Sequence, residues 1–509
     1  MRKMNPAVAL SFVVLLCLSG PSLTQRALGG PATGPSQAPE GAAGQAKDPN
    51  SGPAAPVVVA RIGDDTIVQE DLEERLVREI RPREEGYAAQ SKPVTAEAVL
   101  RGMLAEKALS LEGRALGLLK DESIRPSIEQ FEQQLLARLL LDREFRDRVT
   151  AEPAQVDQAM KANPKWTREQ ATAMVQQAVA NRLFESYYKG LVEKSHLKKE
   201  AGHFAQAAEI HERLLSRPAE KRGQGEFWIT NKQVKNELTE QEKKLVLAGY
   251  EGGTFTLEDW FLTVCNIAPP RRPQDLSTPA GVEQLLDRAL RLPLLVAEAR
   301  ARGCDKDEKL RSEVRRLEDQ QLLYKVQEVK TKGMPEPTAD QVQAYYEKNK
   351  DQFAQPATMK ISQIWCENLE AAKKVKTALE GGADFEAVRK EHSLQKQEVP
   401  QVVSSVGEGL FWAELSKADP NQTVGPVRGF YGSGAKWRIV KVLEKTPAKA
   451  QPYSEQLANT VKWVLVAEQR QQVLDEYQTE LLKKYPHEIF GDRIKGLDPL
   501  EIATNREDK

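Results

Sequence analysis

The chain is poor in the residues that build metal and redox sites. Its 509 residues include five His and four Cys. His196, His203, His211, His392 and His487 are scattered, and none has metal-ligand spacing to a second His or Cys, so no metal site is expected. Beyond Cys17, the remaining Cys265, Cys304 and Cys366 form an odd and widely separated set, which excludes a disulfide framework and leaves buried thiols. A dominant charge sign is also missing. Lys plus Arg number 73 against 74 Asp plus Glu, so no basic field favours nucleic acid and no acidic excess favours a cationic partner. Binding must then come from shape and apolar surface. Long hydrophobic runs are lacking too: the stretch Ala7 to Leu18 falls short of the roughly 20 residues a membrane-spanning helix needs, and no second candidate follows.

What is present begins with an export pattern. Arg2 and Lys3 precede that apolar stretch, and Ser19, Gly20 and Pro21 break it, in the order of a secretory signal. Cleavage is expected near Ser19 or Thr24; the alternatives are retention of the signal as an anchor and lipidation at Cys17, against which the Leu16 preceding it argues. From Ala27 to Pro56 the composition is Gly, Pro, Ala, Ser and Gln, with too little apolar surface to offset the entropy of ordering, so this segment reads as a tether. The 29% of charged residues suits solvated helices, and the length calls for several domains.

A long internal repeat organises the rest. Val57 to Ile62 is a β-branched run, Gly63-Asp64-Asp65 a turn and Thr66 to Val68 a return strand, with Gln69 to Leu72 opening a helix. A second version runs from Leu247 to Trp260, where Thr254, Glu258 and Asp259 lie 188 positions beyond Thr66, Glu70 and Asp71. Arg114-Ala115-Leu116-Gly117 answers to Arg300-Ala301-Arg302-Gly303, and Lys120-Asp121-Glu122 to Lys306-Asp307-Glu308, at an offset of 186. In both, Gly follows the last apolar turn of one helix and a long charged helix soon begins; Leu310, Val314 and Leu317 mark its buried stripe. The offset then jumps to 286 where Glu169-Gln170 answers to Glu455-Gln456, so the second copy has gained 286 − 186 = 100 residues between about Asn349 and Ser454. That is one small guest domain.

The guest changes character to mixed α and β. Met359 to Cys366 predicts a strand, Leu369 to Leu379 a helix, Gly381-Gly382-Ala383-Asp384-Phe385 a turn into the helix Phe385 to His392, and Trp437 to Leu443 a last strand. This order, with Ser393 closing the second helix and Val424-Gly425-Pro426-Val427 before the last strand, resembles a parvulin-type (PpiC-like) peptidyl-prolyl isomerase domain. The surrounding helical repeat resembles the periplasmic SurA and PrsA foldases. The resemblance implies a mainly α fold of two tandem helical lobes, the second interrupted by a small α/β domain. The expected boundaries are 1–26 secretory signal, 27–56 linker, 57–245 first lobe, 246–355 the N-terminal part of the second lobe, 356–446 guest, 447–490 the C-terminal helix completing the second lobe, and 491–509 tail.

The resemblance also implies where catalysis would sit. Parvulins carry a His on the first strand, followed by two apolar residues, and another His on the last strand after an aromatic. The matching positions here are Gln363, before Ile364-Trp365, and Arg438, after Trp437. Rotating a prolyl amide means lowering a barrier of about 20 kcal/mol, and parvulins use an apolar cradle above a hydrogen-bond network. Arg is permanently charged and only donates, so this pair cannot reproduce two neutral imidazoles. The region Ser404 to Asp419 is also short for a parvulin. Trp365, Phe411, Trp412 and Trp437 are the candidate peptide-binding residues, with core packing as the alternative for Phe411 and Trp412, and the same choice holds for Trp260, Phe261, Tyr345, Tyr346 and Phe353. His392, at a helix end, reads as surface. The expected function is an envelope chaperone or foldase, in the periplasm or cell envelope, that binds unfolded or proline-containing exported polypeptides. It needs no cofactor, nucleic acid or span in the mature chain, and its isomerase activity is low or absent. An active divergent isomerase is the alternative, and a purely structural envelope protein is the third reading.

Overall fold

A computed structural model describes residues 56–80, 94–216, 228–395, 400–431 and 434–505. The signal, Cys17 and nearly all of the linker lie outside the described residues. The first copy of the repeat runs β1 (Val58–Ile62), β2 (Asp65–Val68), α1 (Gln69–Ile80), α2 (Ala96–Ala115), α3 (Arg125–Phe145), α4 (Pro153–Ala162), α5 (Arg168–Lys194) and β3 (Lys198–Lys199). After α6 (Phe204–Leu215) and α7 (Asn231–Glu237), the second copy follows with β4 (Val246–Tyr250), β5 (Gly253–Thr256), α8 (Leu257–Asn266), α9 (Pro279–Ala289), α10 (Arg291–Ala301), α11 (Glu308–Thr331) and α12 (Ala339–Lys348). The guest comprises β6 (Thr358–Cys366), α13 (Leu369–Glu380), α14 (Phe385–His392), β7 (Gln401–Ser404), β8 (Thr423–Tyr431) and β9 (Gly434–Thr446). Then come α15 (Glu455–Lys484), β10 (His487–Ile489) and α16 (Pro499–Asn505). The fold is mainly helical, with a small sheet domain in the guest. Among the described residues, no helix is long and apolar enough to cross a membrane.

The two copies repeat local chemistry faithfully. Each hairpin turns on a glycine at positive φ, Gly63 at 54° and Gly252 at 104°, a conformation L side chains resist. The helices α2 and α10 both end before a left-handed glycine, Gly117 at φ 70° and Gly303 at φ 71°. Thr167 caps α5 by accepting from Gln170 N, and Ser454 caps the equivalent α15 by accepting from Leu457 N.

The copies close on each other rather than on themselves. Strand β10, at the end of the second copy, pairs antiparallel with β1 of the first, Ala60 opposite Ile489 and Ile62 opposite His487. Reciprocally, β3 from the end of the first copy pairs with β4 of the second, Lys198 opposite Gly249. The helices exchange likewise: α10 packs on α3, and α15 packs on α2. One buried carboxylate marks each exchange. Glu112 of α2 accepts from Lys484 Nζ at 2.5 Å and Tyr485 Oη at 2.7 Å. Its repeat equivalent, Glu298 of α10, accepts from Lys194 Nζ at 2.7 Å and Arg302 Nε at 2.6 Å. Lys194 and Lys484 are the last residues of the corresponding helices α5 and α15. These partners hold both carboxyls below the usual carboxylate range; Lys484 does most for Glu112, while for Glu298 burial is the largest influence and opposes Lys194 and Arg302.

The described chain therefore divides into two compact units, residues 120–318 and residues 56–119 with 319–505. The first has its own core of Leu136, Phe145, Phe184, Trp260, Phe261, Leu286 and Leu294, all at most 1% exposed. Trp260 is wholly buried and its Nε1 donates to Val282 O at 3.2 Å. The second packs Val59, Ile62, Leu72, Leu100 and Leu104 against Val326 and Leu481. Burying each such side chain contributes about 1.5–3 kcal/mol. Tyr346 and Phe353 are buried in a smaller cluster with Val342 and Val461, and Tyr345 is partly buried against it.

Within the guest, the four strands form an antiparallel sheet in the order β7-β6-β9-β8. One face carries Ile364, Cys366 and Ile439 under Ala372, Val375, Phe385 and Val388 of α13 and α14. The Gly-Ala-Asp-Phe segment makes that cover possible: Gly382 turns at φ 88°, Asp384 caps α14 by accepting from Ala387 N at 2.9 Å, and Phe385 enters the core. The other face carries Met359, Ile361, Val427, Val440 and Val442 under Leu415 and Ala418. The last strand is longer than the expected Trp437 to Leu443, because it pairs along its length with both β6 and β8. At the root of the guest, Gln355 and Lys449 exchange two backbone hydrogen bonds of 2.8 and 3.1 Å.

Candidate functional site

The pairing of β6 with β9 brings the two singled-out positions together. Trp365 stands opposite Arg438 and Gln363 opposite Val440, and residues opposite each other in an antiparallel pair share a face. Arg438 Nη1 donates to Gln363 Oε1 at 2.9 Å across that face. Both side chains are 3% exposed.

Glu408 completes the site. Ser404 ends β7 and caps the helical turn Ser405–Glu408 by accepting from Gly407 N at 3.1 Å. Gly409, at φ 51°, then turns the chain so that Glu408 faces the sheet. Its carboxylate takes Nη2 of Arg438 at 2.5 Å and Nη1 at 3.3 Å, a two-point ion pair whose side chains are 3% and 11% exposed. Gln363 Nε2 donates onward to Gln401 Oε1 on β7 at 3.2 Å.

Aromatic rings enclose the guanidinium. Its carbon lies 5.0 Å from the Trp365 ring centre and 6.0 Å from that of Phe411. Phe411 meets Phe430 edge-on at 5.4 Å, and Trp365 meets Tyr431 at 5.2 Å. Gly429 forms the remaining wall. A Cβ there would lie 2.5 Å from Arg438 Nε and 2.7 Å from Trp365 Cη2, so any side chain would displace the guanidinium. Arg438 Nε is buried without a hydrogen-bond partner against this wall.

The other candidates separate. Trp365 and Phe411 line the guanidinium, whereas Trp412 is partly buried in the core of the same sheet face with Ile361 and Val440. Trp437 is on the opposite face, packed with Ile364 and Ile439 and covered by the Arg428 guanidinium at 4.9 Å. His392 is half exposed beside Glu391. Glu408, Gln401, Gly429, Phe430 and Tyr431 were not singled out in the sequence. The one available signal was that the shortened segment between Ser404 and Asp419 carries two glutamates, Glu408 and Glu414, since a buried Arg on a strand needs a carboxylate within reach.

Chemically, both terminal nitrogens of the Arg438 guanidinium are engaged and only its Nε is left without a partner. Guanidinium does not surrender a proton and Gln neither gains nor loses one, so the pair supplies hydrogen-bond donors and shape but no acid or base. Among the described residues, no group of three or more His, Cys, Asp and Glu side chains is placed to hold a metal ion. A surface depression lined by Ala208, Glu212, Arg213 and Ser277 belongs to unit 120–318 and shares no residue with this site.

Comparison with known proteins agrees with the resemblance read from the sequence. Residues 337–456 match the family described as the PPIC-type PPIase domain. No curated protein matches the chain. Among solved structures, one of two related SurA-like chaperones of Campylobacter jejuni is similar over 47% of this chain and 98% of its own, at 16% identity and a TM-score of 0.23. The peptidylprolyl isomerase PrsA of Bacillus cereus is similar over 33% of this chain and 62% of its own, at 22% identity and a TM-score of 0.21. PrsA of Bacillus subtilis is similar over 58% and 86%, at 14% identity and a TM-score of 0.15. At these scores the likeness is local and fixes neither the arrangement of the whole chain nor its activity. The guest lies within the residues that match the PPIC-type PPIase domain.

Proposed function

We propose that the chain is an exported foldase of the cell envelope that binds unfolded polypeptides, and that its PPIC-type domain adds binding surface rather than rapid prolyl isomerisation. The observation that carries this reading is the ion pair of Arg438 with Glu408. The guanidinium fills the space between Trp365, Phe411 and Gly429, on the strand face where the resemblance puts the catalytic histidines. A proline ring entering there would have to displace a buried charge from its carboxylate, a step that costs several kcal/mol. The balanced charge of the chain and its export pattern support the same reading, since they leave apolar contact as the means of binding clients outside the cytoplasm.

Two measurements test it. The purified protein should slow aggregation of an unfolded client at stoichiometric concentration, and a chain lacking residues 356–446 should keep much of that effect. No suppression by the intact protein would overturn the reading. In a protease-coupled proline-peptide assay the intact protein should run at the uncatalysed rate. A clear rate above background, abolished by Gln363→Ala or Arg438→Ala, would instead establish a divergent isomerase working through the Gln363, Arg438 and Glu408 network.

A further inference from the structure

The chain beyond β10 returns to the guest domain. Leu497 joins the core of the β1–β2 unit, and α16 then lies against both α1 and β9. Ala503, fully buried, shares a cluster with Val77 and Ile80 of α1 and with Ala435 of β9. Leu500 and Ile502 of this helix pack against that cluster, as do Leu410 and Phe430 of the guest. A polar clamp holds the start of the helix: Asp498 Oδ1 accepts from Leu500 N at 2.9 Å, and Asp498 Oδ2 lies 3.7 Å from Arg428 Nη1 on β8. Phe430 is the ring that packs edge-on against Phe411, which in turn borders the Arg438 guanidinium. The C-terminal helix thus covers the apolar flank of the candidate site.

We propose that the flank formed by Leu410, Phe430 and Ala435 is a binding surface for a short apolar helix, that α16 is its resident occupant, and that an apolar stretch of an unfolded client takes the place of α16. The inference rests on the client-binding reading above and names its site. The occupant is the argument for the ligand class, because what sits there is about two helical turns with apolar residues on one side and an acidic residue at its start. That acidic residue meets both the first turn of the helix and Arg428, so an incoming helix with Asp or Glu at its N-terminus fits best. The resident is built to leave. A helix of this length does not hold its shape alone in water, and its attachment runs through Gly496 at φ 84°. Its apolar contacts and the Asp498 clamp hold it in place, and its tether adds an effective concentration on the order of millimolar for a short linked segment.

The experiment uses a fluorescent peptide of residues 497–505 and two forms of the protein, the full chain and one ending at Asp498. The truncated chain should bind the peptide at least about tenfold tighter than the full chain, because the tethered competitor is gone. Phe430→Ala in the truncated chain should remove that gain. Equal binding by both forms, or a gain indifferent to Phe430→Ala, overturns the proposal. A measurement on the intact protein stands beside it. Addition of a reduced, carboxymethylated and therefore permanently unfolded protein should speed hydrogen exchange of the amides of 500–505 several-fold, and unchanged exchange there also overturns the proposal. Suppression of aggregation without peptide binding defeats this inference alone, whereas peptide binding without suppression defeats the foldase reading alone.

Discussion

The same helical hairpin occurs twice, once closed by a short turn and once by a whole domain. In the first copy α4 and α5 are joined by Asn163 to Thr167, with Thr167 capping the second helix. In the second, α12 and α15 are the equivalent helices, and the guest fills the gap between them. The insertion is tolerated because its two ends meet: the paired backbone groups of Gln355 and Lys449 pinch the root, so the long connection imposes on its host about the same constraint as the short turn. The burden of the interruption falls on the guest, which keeps a buried charge pair of its own, while the host unit keeps an apolar core and its Glu112 bridge.

The comparison can be broken most severely in the cores. Trp260 and Leu72 are repeat equivalents, both wholly buried, in separate compact units. Trp260→Ala should cost about 3–5 kcal/mol and Leu72→Ala about 2–5 kcal/mol. Followed by denaturant unfolding with a probe in each unit, each substitution should shift mainly the transition of its own unit; a single shared transition shifting equally for both would show that the units do not unfold separately.

The guest offers a contrast of charge instead of volume. Glu408→Ala leaves Arg438 buried and unpaired, a loss of about 3–5 kcal/mol. It should appear as local hydrogen exchange in 400–446 with the core of 120–318 unaffected; full protection of β6 and β9 would mean that Gln363 alone satisfies the guanidinium.

Acidity separates the units more gently. Burial beside Trp260 and Phe261 holds His211 down at about 4, with Arg272 acting in the same direction and Glu212 against it, while Nδ1 lies 2.8 Å from Ser277 Oγ. A depressed folded value means that the unfolded chain takes up its proton first. The stability of unit 120–318 is therefore complete above the unfolded value near 6.5 and is lost as pH falls towards 4. Between pH 6.5 and 5 the loss should be about 2 kcal/mol, and His211→Phe should flatten that slope. Glu112 and Glu298, both depressed, add losses to both units only below pH about 4.5, so the interval above it isolates His211.

The smallest expected effect is the most direct check on the hairpin comparison. Replacing residues 356–446 by a turn with the sequence of Asn163 to Thr167 should change the stability of unit 120–318 by no more than about 0.5 kcal/mol. A larger change there would mean that the guest supports more than its own unit.

Much of this was legible because it is local. The hairpin turns at Gly63 and Gly252, the left-handed glycines after α2 and α10, the cap at Asp384 and the alternation that puts Gln363 with Trp365 on one strand face, and Arg438 with Val440 on another strand's, all follow from spacing. The candidate site was half legible. Gln363 and Arg438 could be placed on strands, but Glu408 comes from a short turn whose direction depends on Gly409, and Trp437 fell on the far face because neighbouring strand residues point oppositely.

The sequence by itself determined that the chain repeats and that a guest of parvulin-like order interrupts the second copy. Only the tertiary structure decided which copy completes which hairpin. Equivalent strands β3 and β10 each pair antiparallel through backbone groups with the first strand of a hairpin, β4 and β1, and backbone pairing of this kind does not distinguish closure within a copy from exchange between copies. The choice rests on how long helices α5 and α15 carry those strands through space, and on Glu112 and Glu298 meeting a lysine from the other copy. No window of sequence contains those contacts.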